Sequence, residues 1–225
     1  MTVIKFLLIF VVEHDYVFHY FYNLLGITIR QATIVQLQLK TTTFPFNGIS
    51  PSQQDSLKEL FNLVWDIKDV TTIHPKEMNA TSFCAMIENS IVGYVGVISW
   101  NISVSDVIFT MCGLSCVCTH PSYRNLGIGT YLVQTATEWI IQNEDKFDIG
   151  FFTCSQELIH FYKHIKRWEL CDNLILKESD RANAIQSDNL NLHVFKLPIS
   201  SKAKSHAKYF NEGTIVLNFP KGKFI

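Results

Sequence analysis

Val117-Cys118-Thr119-His120-Pro121-Ser122-Tyr123-Arg124-Asn125-Leu126-Gly127-Ile128-Gly129-Thr130 decides how this chain is read. It opens at the end of an apolar run, Val107 to Thr119, that Pro121 stops. It closes where Tyr131, Leu132, Thr135, Trp139 and Ile140 begin to recur at helical spacing. The order is strand, loop, helix. Two glycines two positions apart let the backbone approach a ligand closely, and a helix starting there aims free N–H groups and its positive end outward. Such a turn holds phosphate. Alone, Arg-x-x-Gly-x-Gly is a weak pattern, because glycines before a helix also serve tight turns; its place between strand and helix gives it weight.

Upstream, the spacing predicts a strand from Ile27 to Leu39, ended by Thr41 to Thr43 and Pro45. A helix follows, with capping chemistry at Ser50, Pro51 and Ser52 and an apolar stripe of Leu57, Leu60, Phe61, Val64 and Ile67. Ser82 to Ile87 and Ile91 to Trp100, separated by Glu88-Asn89-Ser90, predict an antiparallel hairpin. Downstream, Ile149 to Cys154 reads as a short buried strand, Glu157 to Ile165 as a short helix, and Leu192 to Leu197 as a last strand. The fold class is α+β, a mixed and mostly antiparallel sheet flanked by helices.

Val117 to Ile140 resembles the acetyl-CoA motif of the GNAT acyltransferases, in which a strand, a proline, Arg-x-x-Gly-x-Gly and a helix follow in that order. Ser155 to His164, with its Phe161-Tyr162 pair and then Trp168, is similar to the family's next helix, and Ile91 to Val95 to its third strand. The resemblance covers about Ser82 to Trp168. It implies a GNAT fold and an acetyl-CoA-dependent N-acetyltransferase that moves an acetyl group to a primary amine by direct attack.

Carried over residue by residue, the resemblance gives Val117, Cys118 and Thr119 to the pantetheine arm and the thioester carbonyl. Arg124, Asn125, Leu126, Gly127, Ile128, Gly129 and Thr130 would hold the pyrophosphate, mainly through backbone N–H groups. Tyr162 matches the tyrosine that protonates the departing thiolate. Relatives often carry a base on the strand before the cradle, yet Met111 to Val117 contains no carboxylate. Ser115 stands near the expected place and could hold a water; His120 and the end of the chain are the alternatives. A further departure is that Ile165-Lys166-Arg167-Trp168 has no glycine before the aromatic, so that turn must be built differently.

The 225 residues, 48% hydrophobic and 17% charged, suffice for one core, which predicts a single domain at 27–198 behind an N-terminal extension at 1–26. The remaining segment, 199–225, is similar from Asn211 to Ile225 to the closing segment of aminoglycoside 2'-N-acetyltransferases and nodulation N-acyltransferases. That resemblance places it near the acceptor site and implies a small-molecule, aminoglycoside-like acceptor. Glu157, Glu212, Asp172 and Asp106 are candidates to line a pocket for a polycation. A peptide or protein acceptor, and a non-catalytic acyl-CoA-binding module, are the alternatives.

With 19 basic against 20 acidic residues and net charge −1, the chain has no broad cationic field, which argues against nucleic acid. Val3 to Val12 is too short to cross a bilayer, and no small-residue cleavage site follows it. Six cysteines without paired C-x-x-C spacing read as buried thiols in a reducing, cytoplasmic setting. Even spacing would put Cys112, Cys116 and Cys118 on one face of a strand, but no histidine or carboxylate accompanies them at ligand spacing, so no metal is expected. A homodimer is compatible with the sequence.

Overall fold

The computed structural model describes residues 39–67, 69 and 73–225. The proposed extension at 1–26 and the strand expected from Ile27, apart from Leu39, lie outside them. The strands are β1 (Lys40–Pro45), β2 (Thr81–Ile87), β3 (Ser90–Val104), β4 (Val107–Thr119), β5 (Ile149–Cys154), β6 (Glu169–Cys171), β7 (Leu174–Lys177), β8 (His193–Pro198) and β9 (Gly213–Val216). The α-helices are α1 (Pro51–Trp65), α2 (Ile128–Gln142), α3 (Ile159–Lys163) and α4 (Ser201–Ser205).

Seven strands form one sheet in the order β1-β2-β3-β4-β5-β8-β6, and β7 pairs with β9 in a second, two-stranded sheet. Every pairing in the large sheet is antiparallel except β4 with β5. The expected fold class is therefore the observed one. Each face of the sheet buries its own apolar layer. One layer joins α2, through Ile128, Leu132, Val133, Ala136 and Ile140, to Val95, Leu114 and Phe152. The other joins α1, through Leu57, Leu60 and Phe61, to Tyr94, Ile98, Phe109 and Met111, and continues into Leu176, Ile215, Leu217 and Phe219.

Local chemistry accounts for the helix starts. Ser50 caps α1 in a reciprocal box with Gln53, and Pro51 supplies a preset first turn. On β3, Gly93 lets α2 pack closely: a β-carbon there would lie 2.9 Å from both Ile128 Cγ2 and Leu132 Cδ1.

Several expectations need correction. Thr41 to Thr43 and Pro45 do not break a strand; they form β1, where three β-branched residues suit an edge strand and the proline sits at its last position. Leu192 to Leu197 is not the last strand, because β9 follows and pairs in parallel with β7. Both are four-residue strands, too short to declare themselves by alternation. The helix expected from Glu157 splits into a 3-10 turn, Gln156–Leu158, and α3. Cys112 does not share a face with Cys116 and Cys118: it belongs to the layer under α2 and they to the opposite one. The cause is a bulge that resets the alternation of β4.

Candidate active site

That bulge also opens the sheet. Tyr94 pairs with Cys118 and Gly96 with Ser115, so two residues of β4, Cys116 and Val117, stand against Val95 alone. Cys116 absorbs the extra residue in a left-handed conformation, φ 54°. On the other side, β4 pairs with β5 only at Met111–Ile149 and Cys112–Gly150. A side chain at Gly113 would meet the carbonyl oxygen of Phe151, so the strands are in close approach just past their last paired residues. Beyond that point the facing edges of β4 and β5 carry no ladder to one another. Val117, Cys118 and Thr119 lie on this unpaired edge, whose backbone groups are available to the amides of an extended arm.

The cradle follows at once. His120 Nδ1 accepts the Ser122 N–H at 3.2 Å and starts the 3-10 turn Pro121–Tyr123. Arg124 donates from Nε to the carbonyl of Thr119 at 3.3 Å, which holds its exposed guanidinium beside the strand end. Asn125 (φ 63°) and Gly127 (φ 87°) are both left-handed and coil the chain tightly into α2. Gly127 is the N-cap, no side chain caps the helix, and the first helical bond runs from Tyr131 N–H to Gly127. The N–H groups of Ile128, Gly129 and Thr130 therefore face outward with the positive end of a fifteen-residue helix. Gly129 leaves the floor low, since a β-carbon there would approach Thr119 Oγ1 to 3.2 Å and Phe161 Cζ to 3.7 Å. This arrangement fits the pyrophosphate of coenzyme A.

Tyr162 of α3 sits in the apolar layer on the cradle's side of the sheet, ring to ring with Phe152 at 4.5 Å and Phe161 at 4.9 Å. Burial, reinforced by the neighbouring Cys154, pushes its phenol well above the ordinary tyrosine range. It stays protonated at every physiological pH. The turn behind it is built without glycine because Lys166 adopts the left-handed conformation, φ 61°, that glycine usually takes. Trp168 is thereby returned to the core.

The other candidates separate. Ser115 lies at the bulge, its Oγ donating to Cys116 Sγ at 3.6 Å. The lone pairs of that oxygen remain for a water. His120 is occupied as a cap. Glu157, Glu212, Asp172 and Asp106 are all exposed, and Asp106 is in the β3–β4 turn, at the opposite end of β4 from the cradle. His160 of α3 and His164, its C-cap, are both exposed and meet edge to face at 4.4 Å. Among the described residues no group of three or more His, Cys, Asp or Glu could hold a metal, and no helix is long and apolar enough to cross a membrane.

One buried titratable group escaped the sequence reading. His74, in the loop before β2, is 3% exposed and lies against β3 at Gly96. Burial, with a smaller effect of Lys223, lowers its pKa to about 4, so the imidazole is neutral. The available signal was Gly96 itself, since a glycine inside a strand marks a close approach.

The acetyltransferase (GNAT) family profile matches residues 50–165, just over half of the chain. Among solved structures, Arabidopsis thaliana NAA60 in complex with acetyl-CoA is similar at 14% identity and TM-score 0.50, covering 71% of this chain and 100% of that one. Escherichia coli ElaA aligns at 10% identity and TM-score 0.49, over 71% and 99%. An aminoglycoside 6'-N-acetyltransferase complexed with coenzyme A aligns at 14% and 0.48, over 70% and 97%. No curated protein matches by sequence. The profile match, and the agreement in fold with NAA60, join a strand-loop-helix phosphate cradle to a sheet that opens beside it: the chain belongs to the GNAT family and is an N-acetyltransferase that uses acetyl-CoA as acyl donor and an amine as acceptor.

Proposed function

We propose that the acceptor is the primary amine of a small molecule, aminoglycoside-like in size, which attacks the acetyl thioester directly. The observation that carries this reading is the course of the last residues. The carbonyl of Ile225 accepts from Thr153 Oγ1 of β5, and the Ile225 side chain packs where a β-carbon of Gly113 on β4 would be, at 3.2 Å from its Cδ1. Ile225 thus bridges the strands where they part, on the face opposite α2. A peptide or protein acceptor needs an open groove there; a compact amine does not.

In this reading 27–198 is the acyltransferase domain and 199–225 the segment that walls its acceptor side. The thioester carbonyl lies near the bulge, where a backbone N–H of Val117 to Thr119 meets the negative charge that builds on its oxygen. Arg124 to Thr130 hold the pyrophosphate. Tyr162 gives its proton to the departing sulfur, and Ser115 holds a water beside the amine. Of the four carboxylates expected to line a polycation's pocket, Asp106 lies at the opposite end of β4 from the cradle and does not contribute to one.

The test is thiol release from acetyl-CoA across aminoglycosides, polyamines, simple primary amines and peptides. Turnover confined to small amines supports the reading. Turnover of peptides alone overturns it.

A further inference from the structure

We propose that His74 is the group that takes the proton from the acceptor amine, with Tyr94 and Ser82 as its positioning residues. The inference rests on the acyl group lying at the β4 bulge, as in the reading above.

Among the described residues the site offers no side-chain carboxylate as base: β4 has none, Ser115 has no basic group of its own, His120 is used as a cap, and the end of the chain at Ile225 is engaged by Thr153 Oγ1. His74 fills the gap from a different part of the chain. A β-carbon at Gly96 would stand 2.7 Å from His74 Nε2, 3.1 Å from its Cε1 and 3.2 Å from the carbonyl oxygen of Ser115. Gly96 and Ser115 are paired at the bulge, so the Nε2–Cε1 edge of the imidazole rests on bare backbone beside the residue where a base is expected.

The imidazole is held in a defined way. His74 Nε2 and the Tyr94 hydroxyl are 3.1 Å apart, and the same hydroxyl is 3.1 Å from Ser82 Oγ. The His74 and Tyr94 rings are stacked, and Phe46 packs its edge on His74 at 4.8 Å. A phenol has one proton to give. When Tyr94 donates to Ser82, Nε2–H donates to Tyr94 and Nδ1 keeps its lone pair. Among the described residues, the charged and titratable groups acting on the pair are Lys223, on His74, and Cys84, Cys116 and Cys118, on Tyr94. Neither a neutral imidazole nor a lysine favours an ammonium ion, so the acceptor enters as the free amine.

The step balances. The amine lone pair forms the C–N bond, and the carbonyl π pair moves to oxygen. The nitrogen, now cationic and strongly acidic, passes a proton to Nδ1, for which a weakly basic imidazole suffices. The carbonyl re-forms, and the C–S bond breaks with its pair on sulfur, which takes the Tyr162 proton. Water carries the His74 proton away and restores that of Tyr162.

The test compares a primary alkylamine with hydroxylamine, which is far less basic and needs less help in losing its proton. His74→Gln should lower kcat for the alkylamine about 10²-fold and for hydroxylamine by less than about tenfold, with the KM for acetyl-CoA changed less than about twofold. In His74→Ala, added imidazole should restore kcat about tenfold. Tyr94→Phe should lower the alkylamine to hydroxylamine ratio in the same direction. Equal kcat in wild type and folded His74→Gln, or equal loss with both nucleophiles and no rescue, overturns the proposal. Should the His74 variants not fold, an unchanged ratio in Tyr94→Phe overturns it too. Failure of the small-amine reading looks different: the wild type then turns over peptides only, and the imidazole rescue is read on the peptide.

Discussion

The indole of Trp168 occupies the space above Gly150: a β-carbon at position 150 would lie 2.7 Å from Cη2. The same ring donates from Nε1 to Thr137 Oγ1 of α2 at 2.9 Å, so it ties β5 to the helix that carries the cradle. Gly150→Ala forces a rigid, buried ring to move and should cost about 1–3 kcal/mol. Thr137→Val leaves a buried indole N–H without its acceptor and should cost about 1–3 kcal/mol. Denaturant unfolding of both variants measures this; a Gly150→Ala protein as stable as wild type would contradict the packing.

Gly127→Ala puts a β-carbon into a left-handed N-cap with φ 87°, a strain of about 1–2 kcal/mol. Because the strained residue opens the cradle, the expected result is weaker binding of acetyl-CoA, by about tenfold for 1.4 kcal/mol, read by titration of coenzyme A. Arg124→Ala removes one exposed charge and should weaken binding less than Gly127→Ala does, since most of the cradle's donors are backbone.

Tyr162→Phe keeps the ring contacts with Phe152 and Phe161 and removes only the proton donor. On the proposed role, kcat should fall about 10²-fold with little change in the KM for acetyl-CoA. Steady-state kinetics on both substrates decides it: an unchanged kcat leaves Tyr162 as a packing residue.

His74 predicts an acid limb in stability. Its pKa is about 4 in the folded protein against 6.5 for the free side chain, so the unfolded chain binds more protons between those values. Stability is therefore fully present above pH 6.5 and is lost as pH falls toward 4, on the order of 3 kcal/mol in all. Urea unfolding between pH 7 and 4 should show this slope in the wild type and a shallower one in His74→Gln.

The closing segment is part of the core and not an appendage. Phe219 is 3% exposed and meets Trp100 edge to face, and Leu217 N–H donates to Lys177 of β7. Phe219→Ala should cost about 3–5 kcal/mol. A loss below 1 kcal/mol would mean that the segment is not packed as described.

Much of this protein is determined by its sequence alone, wherever the signal is local. The hairpin β2–β3, the strand β4 and the helix α2 follow from alternation and helical spacing, because a face that must be buried imposes its period on the chain. The cradle from Arg124 to Thr130 is equally legible, since its chemistry lies in consecutive backbone N–H groups and in glycines that free them. Tertiary structure decided the rest. The bulge at Cys116 reverses the facing of the residues after it, and nothing local in Leu114 to Val117 marks a left-handed cysteine. β7 and β9 are four residues each, separated by a long stretch of chain, and are strands only because they pair. Ser82, Tyr94 and Gly96 are brought together by the β2–β3 hairpin, but His74 joins them only when the loop before β2 folds onto β3, a relation that no spacing along the chain encodes.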